Sequence, residues 1–263
     1  MGTGAYPVTT HPERHRLLET ADVFIVTGAF FFAAFVKGVT GLGFSTTAMP
    51  FLVYALGIKA TLPMLIIPSV ASNLIVMRDA GHFRPTLHRF RWLYVSALPG
   101  IVLGLTLLNW LAPRVSSAVL GLVLILYCAV SLVQPGLQLP APFAKYLETP
   151  VGFTTGVING FTGSQGLPVL PILLSIPLSR DQFIQAINIS FTLSSVVMAL
   201  GLFHLELFTL ASIQGAAIGL LAVMTGIKFG TRVRQWLPTE WFRRSVLILL
   251  TVMGVGLVAR LIS

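Results

Sequence analysis

Acidic side chains are scarce. The 263 residues hold eight Asp and Glu against 17 Lys and Arg, and charged residues of either sign make up only 10%. A soluble domain carries about 25% charged residues, so this composition does not build a water-exposed globular surface. The eight acidic residues (Glu13, Glu19, Asp22, Asp79, Glu148, Asp181, Glu206 and Glu240) are read as falling in termini or loops. No apolar run then holds a carboxylate of the kind that binds Na⁺ or relays protons inside a membrane, which argues against a cation as substrate. The single cysteine, Cys128, excludes an intrachain disulfide, and its apolar neighbours mark it as a packing residue. A catalytic constellation is also lacking. Gly43-Phe44-Ser45 misses the second glycine of a nucleophile elbow, and no His or Asp lies within an apolar run to act as base. No catalytic residue, metal or cofactor is assigned, and the chain is not read as an enzyme.

What is present is apolar: 55% of residues are hydrophobic, and the mean hydropathy is +0.88. Apolar windows lie near 23–57, 60–77, 92–111, 115–133, 151–178, 183–203, 207–227 and 245–262. Several reach the roughly 20 residues that cross a hydrocarbon core. The fold class expected is an all-α polytopic membrane protein, with the lipid bilayer as its surroundings. Residues 1–22 form a polar N-terminal segment without a small-residue cleavage site, so the first apolar stretch is expected to be retained. The net charge of +9 does not point to nucleic acid, because the basic residues cluster in short loops between spans, as topology determinants do.

The chain repeats itself. At an offset of 122, Lys37, Gly38, Thr40 and Gly41 match Asn159, Gly160, Thr162 and Gly163. At 121, Pro50, Lys59, Ser69, Val76 and Met77 match Pro171, Arg180, Ser190, Val197 and Met198. Further on, Gly100 and Gly104 answer Gly215 and Gly219. This gives a first repeat over 23–134, a linker over 135–149 and a second repeat over 150–263. Charge orients the copies. Arg78, Arg84, Arg89 and Arg91 crowd one loop of the first repeat, and Lys228, Arg232, Arg234, Arg243 and Arg244 crowd a later, non-equivalent loop of the second. By the positive-inside rule both loops are cytoplasmic, so equivalent loops lie on opposite sides and the repeats are inverted. Inversion needs an odd number of crossings per repeat. Three windows supply them, so each leading stretch is expected to fold back at its glycines as a helical hairpin. The arms in the second repeat are expected to be about 12 to 14 residues long.

Those glycine breaks carry the chemistry. Interrupted helix is tolerated at membrane depth only where protein or a wet cavity takes up the freed backbone groups. Two breaks in corresponding positions of two halves point to a transporter binding site. The chain is expected to restart as helix near Phe44 and near Leu167, with Pro168 in the first turn. A helix N-terminus presents unpaired N–H groups and partial positive charge, which suits an anion. The candidate substrate-binding residues of the first repeat are Lys37, Thr40, Gly41, Gly43, Ser45, Thr46 and Asn73. Those of the second are Asn159, Thr162, Gly163, Ser164, Gln165, Gly166 and Asn188. The partner expected is a small anion between two opposed half-helix N-termini, handled by alternating access. The alternatives are an anion channel and, further off, an intramembrane enzyme.

With these motifs the chain resembles the TauE/SafE family, also called the 4-toluenesulfonate uptake permease family. The resemblance rests on Lys37-Gly38-Val39-Thr40-Gly41-Leu42-Gly43 through Pro50, and Asn159-Gly160-Phe161-Thr162-Gly163 through Pro171. It covers nearly all of residues 21–262. Members commonly carry a longer glycine run at the first break, where this chain has Phe44-Ser45-Thr46. The resemblance implies transport, often export, of sulfur-containing anions such as sulfite, sulfoacetate and other organosulfonates across a bacterial cytoplasmic membrane.

The charge bias predicts that cysteines placed in 78–91 and 228–244, on a Cys128→Ala background, are reached by an impermeant reagent only from the cytoplasm. Cysteines near 114 and 204 are reached only from outside. Labelling of the 204 region from the cytoplasm alone would refute the inverted topology.

Overall fold

The computed structural model describes residues 17–133, 141–237 and 239–261, and every regular element among them is helical. Helix α1 (Thr20–Thr40) and the shorter α2 (Phe44–Leu56) flank the first break. They are followed by α3 (Ile58–Ala80), the short α4 (Phe83–Arg89), α5 (Arg91–Trp110) and α6 (Pro113–Val133). The second half opens with α7 (Ala141–Thr162) and α8 (Val169–Leu174) around its own break. It continues with α9 (Arg180–His204), α10 (Leu210–Val233) and α11 (Thr239–Ala259). Seven of the described helices, α1, α3, α5, α6, α9, α10 and α11, are long and apolar enough to cross a membrane. The chain is an all-α polytopic protein. Residues 1–16 of the polar segment and 135–140 of the expected linker lie outside the described residues.

The broken pairs differ from the expected even-armed hairpins. The arm before each break is long, with 21 residues in α1 and 22 in α7, or about 32 Å at 1.5 Å per residue. The arms after the breaks are shorter and unequal, 13 residues in α2 but six in α8. Helix α7 begins inside the stretch read as linker because Pro150, which looks like a helix start, is accommodated within the helix. Helix α8 begins at Val169, with Pro168 capping it from outside rather than sitting in its first turn. It stops early because the Ser175 N–H closes onto the Pro171 and Ile172 carbonyls, and Pro177 follows where proline often ends a helix.

Packing crosses between the halves. Helix α1 lies along α10 and α5 lies along α7, so the leading helix of each half is held by a span of the other. Helices α3 and α9 pack on each other, as do α6 and α11. At their glycines the two crossed contacts have no room for a side chain. A Cβ on Gly104 of α5 would stand 2.3 Å from the Val157 carbonyl oxygen, and one on Gly160 of α7 would stand 2.3 Å from that of Ile101. In the other contact, a Cβ on Gly38 would stand 2.6 Å from the Ile227 oxygen, and one on Gly230 would stand 2.3 Å from that of Phe35. Small residues four apart let helix backbones approach this closely. By these contacts Gly226 and Gly230 occupy the place in the second half that Gly100 and Gly104 occupy in the first. Gly215 and Gly219, paired with them by sequence order, instead meet Met64, Pro68 and Phe30.

Five acidic residues expected in termini or loops lie within helices: Asp22, Asp79, Asp181 and Glu240 in the end turns of α1, α3, α9 and α11, and Glu148 farther in. Glu148 lies in the helical body of α7, 2% exposed, ion-paired with Arg89 at the end of α4. A buried carboxylate is retained only with such a partner, and this pair is what lets the charged start of α7 remain helical.

Gly104→Ala and Gly230→Ala should each lower stability by about 1–3 kcal/mol, since the overpacked backbone must move apart. Gly28→Ala is the control: its Cβ meets nothing within 4 Å, and alanine should leave stability equal or raise it by up to about 1 kcal/mol. Thermal unfolding in detergent reads both.

Candidate functional site

Each break is closed by its own threonine. At the first, Gly41 caps α1 with φ +85° and its N–H bonds the Lys37 carbonyl at 2.7 Å. Thr40 Oγ1 donates to the Val36 carbonyl at 2.8 Å and accepts the Leu42 N–H at 3.2 Å. The second break repeats this with Gly163 at φ +72° and its N–H on the Asn159 carbonyl at 2.7 Å. Thr162 Oγ1 donates to the Ile158 carbonyl at 2.6 Å and accepts the Ser164 N–H at 3.2 Å. Glycine is needed at 41 and 163 because side chains other than glycine rarely tolerate the left-handed region. The threonines satisfy backbone groups that a lipid interior would otherwise leave bare.

Lys37 sits one turn before the first break, at the centre of the molecule and 2% exposed. Its Nζ donates to Asn73 Oδ1 at 2.5 Å, Ser72 Oγ at 3.1 Å and Asn188 Oδ1 at 3.1 Å. Helices α1, α3 and α9 therefore meet on one cationic side chain, and none of these partners is charged. Asn188 is held in turn by its Nδ2, which donates to the Ile184 carbonyl at 2.7 Å. The counterpart of Lys37 in the second half, Asn159, is wholly buried, and neither of its amide atoms has a partner among the described residues. Asn73 Nδ2 and Ser164 Oγ are likewise buried without partners there.

Both breaks reach one void. It measures about 10 Å³, and Lys37, Gly43, Phe44, Ser45, Thr46, Asn73, Gln165 and Phe191 line it. The space suffices for about one water. Ser45 Oγ lies 3.1 Å from Ser69 Oγ, and Gln165 Nε2 donates to Ser195 Oγ at 3.1 Å. The α2 N-terminus, entered from Gly43 at φ +86° without a side-chain cap, supplies the wall at Phe44–Thr46. Gly43 and Thr46 also line a larger cavity of about 380 Å³ that runs past Thr40, Tyr127 and Ser131 to Arg243. There Arg243 Nη2 donates to the Ser131 carbonyl at 2.8 Å.

A buried cation with neutral partners thus lies beside an uncapped helix N-terminus, and the larger cavity reaches that helix end at Gly43 and Thr46. The family model described as sulfite exporter TauE/SafE matches residues 26–257. The chain belongs to the TauE/SafE family. No curated protein and no solved structure matches it. It is therefore a multi-pass member of a transporter family.

Of the residues singled out from sequence, the structure brings Lys37, Gly43, Ser45, Thr46, Asn73 and Gln165 to the void of this TauE/SafE chain, with Asn188 bonded to Lys37 behind it. Gly166 packs beside Thr46, where its Cβ would lie 3.6 Å from the Thr46 hydroxyl. Thr40 faces the larger cavity, while Gly41, Thr162 and Gly163 shape their breaks. Sequence reasoning missed Ser69, Ser72, Phe191 and Ser195 as site neighbours, along with the cavity role of Tyr127 and Arg243. Ser69, Ser72 and Asn73 stand three and four residues apart, so a polar stripe on α3 was the available signal. Arg243 carried no such signal, since it reads as one more topology charge.

Thr40→Val and Thr162→Val should each destabilise the protein by about 1–3 kcal/mol, because each leaves a backbone N–H unsatisfied. Threonine-to-serine at the same positions should restore most of the loss. Unfolding midpoints of the four purified variants check this.

Proposed function

We propose that this chain is a secondary transporter, working as an exporter, of small sulfur-containing or organic anions such as sulfite, sulfoacetate or another organosulfonate. It acts by alternating access in a bacterial cytoplasmic membrane. The observation that carries the reading is Lys37: a cation buried at the meeting of both breaks, bonded only to neutral oxygens. An anion arriving there gains the ammonium, the free N–H groups of α2 and the unpartnered Asn73 amide. The family's description as sulfite exporter supports the substrate class.

The crossed packing supports two inverted repeats, since exchanging the halves turns the α1–α10 contact into the α7–α5 contact. Inversion then follows from the opposite charge bias of equivalent loops. Because α8 is only six residues long, the two half-helices contribute unequally. The anion is held between the α2 N-terminus and the polar chain of the second break, with Asn159, Ser164 and Gln165 on that side. A constriction of about 10 Å³ at the end of a 380 Å³ cavity favours a carrier with a closed site over an open channel. The cavity holds the entering anion at Thr46, and parting of the two breaks admits it.

Sulfite and organosulfonates should raise the unfolding midpoint of the purified protein. In proteoliposomes they should show saturable counterflow. Lys37→Met should remove both effects while remaining monodisperse, and Lys37→Arg should retain part of the binding. An unchanged affinity in Lys37→Met would remove the anion site from this position.

A further inference from the structure

The hydrogen-bond inventory around Lys37 fixes more than the sign of the ligand. Ser72 spends its own hydroxyl hydrogen on the Ser69 carbonyl at 2.8 Å, so towards Lys37 it can only accept. Asn73 and Asn188 also present oxygens to Nζ. Three acceptors require three N–H donors, and only the ammonium has them; a neutral amine would turn its lone pair on an oxygen. The site therefore carries one full positive charge with every ammonium hydrogen already spent.

Among the described residues no other charged side chain lines the void. On the helices that supply the partners of Lys37, the charged residues with described side chains stand at the ends. They are Lys59 and Arg78 on α3, and Arg180 and Asp181 on α9. What the void still offers is neutral donors, chiefly Asn73 Nδ2, which is buried and unpartnered while its oxygen is held by Lys37. The α2 N-terminus adds about half a charge at most. A ligand with a single negative charge leaves at most about half a positive charge over. A dianion leaves at least about half a negative charge and must also give up a much larger hydration energy, which grows with the square of the charge, to enter a water-poor interior.

We infer that the site selects monovalent oxyanions over divalent ones of the same shape, with Lys37 setting the charge and the Asn73 amide N–H as the neutral donor that contacts the anion. This rests on the anion-site reading above and goes beyond it in fixing the charge of the ligand. A sulfonate without a second ionised group or the singly protonated form of a diprotic oxyanion such as hydrogensulfite fits; sulfate does not, and sulfoacetate, a dianion at neutral pH, falls behind the other substrates named above.

Methanesulfonate and sulfate separate the two ideas, because both are tetrahedral and of similar size but differ by one charge. Direct binding to the purified full chain by calorimetry, at constant ionic strength, should show methanesulfonate held at least about 100-fold more tightly than sulfate, as one extra charge in a partly shielded interior implies. Gln165→Lys adds a second cation at the same void and should narrow or reverse that ratio. Asn73→Asp, which cancels the charge of Lys37, should abolish binding of both anions, while Asn73→Ala should weaken methanesulfonate about tenfold through the lost donor. Sulfate binding equal to or tighter than methanesulfonate in the natural protein would overturn the charge selection and leave the anion site standing. Binding of neither anion to a folded, monodisperse protein would overturn both.

Discussion

Everything else in the molecule depends on how closely two pairs of helix backbones approach. Where α1 meets α10 and α5 meets α7, glycines stand against carbonyl oxygens of the facing helix, with no space for even a methyl group between them. Inside a bilayer there is little hydrophobic drive to bring helices together, so association relies on this kind of contact. It fixes the depth and rotation of α1 and α7, and with them the two chain breaks at their ends. Lys37 stands one residue before Gly38 in that contact. Its position at the centre therefore follows from backbone packing and not from its own charge.

The breaks show how polar groups survive at that depth. A helix interrupted in lipid exposes donors and acceptors that water would normally satisfy. Thr40 and Thr162 take up the local ones in the same way, each bonding back to a carbonyl one turn earlier and forward to an N–H two residues on. The groups left over differ between halves. The first break keeps an uncapped helix N-terminus and a cation, and the second keeps an asparagine and a serine with unspent hydrogen-bonding capacity. The two breaks share one bonding pattern, and the chemistry set beside them differs.

Much of this was legible in the sequence, for particular reasons. The spans α3, α5, α6, α9, α10 and α11 follow from apolar windows, and the two breaks follow from glycines beside polar residues where lipid would punish both. The extent of α7 was hidden because Lys145, Glu148 and Pro150 all look like loop residues. Glu148 is accommodated by Arg89, which lies 59 positions earlier in the chain, a partner no local pattern reveals. The same holds for the partners of Lys37. Ser72, Asn73 and Asn188 are ordinary small polar residues until the fold gathers them on one amine. Equivalence of the halves was visible at the breaks but mispaired at the glycines. Gly215 and Gly219 match in order along the chain, while Gly226 and Gly230 match in contact.

The crossed pairing of helices also governs how the chain is made. Helix α1 leaves the ribosome early, yet the surface that fits it, on α10, is synthesised nearly two hundred residues later. Until then its bare glycine face must rest against lipid or against the insertion machinery. The first half is therefore not a finished unit when its last span enters the membrane. Translation must proceed almost to the end before α1 can settle, whereas α7 meets the already synthesised α5 as soon as it is made. Lys37 acquires Ser72 and Asn73 while the chain is still growing, but it cannot acquire Asn188 until the second half arrives. Assembly of the polar cluster around Lys37 thus waits for α9, and the seating of α1 waits longer still, for α10.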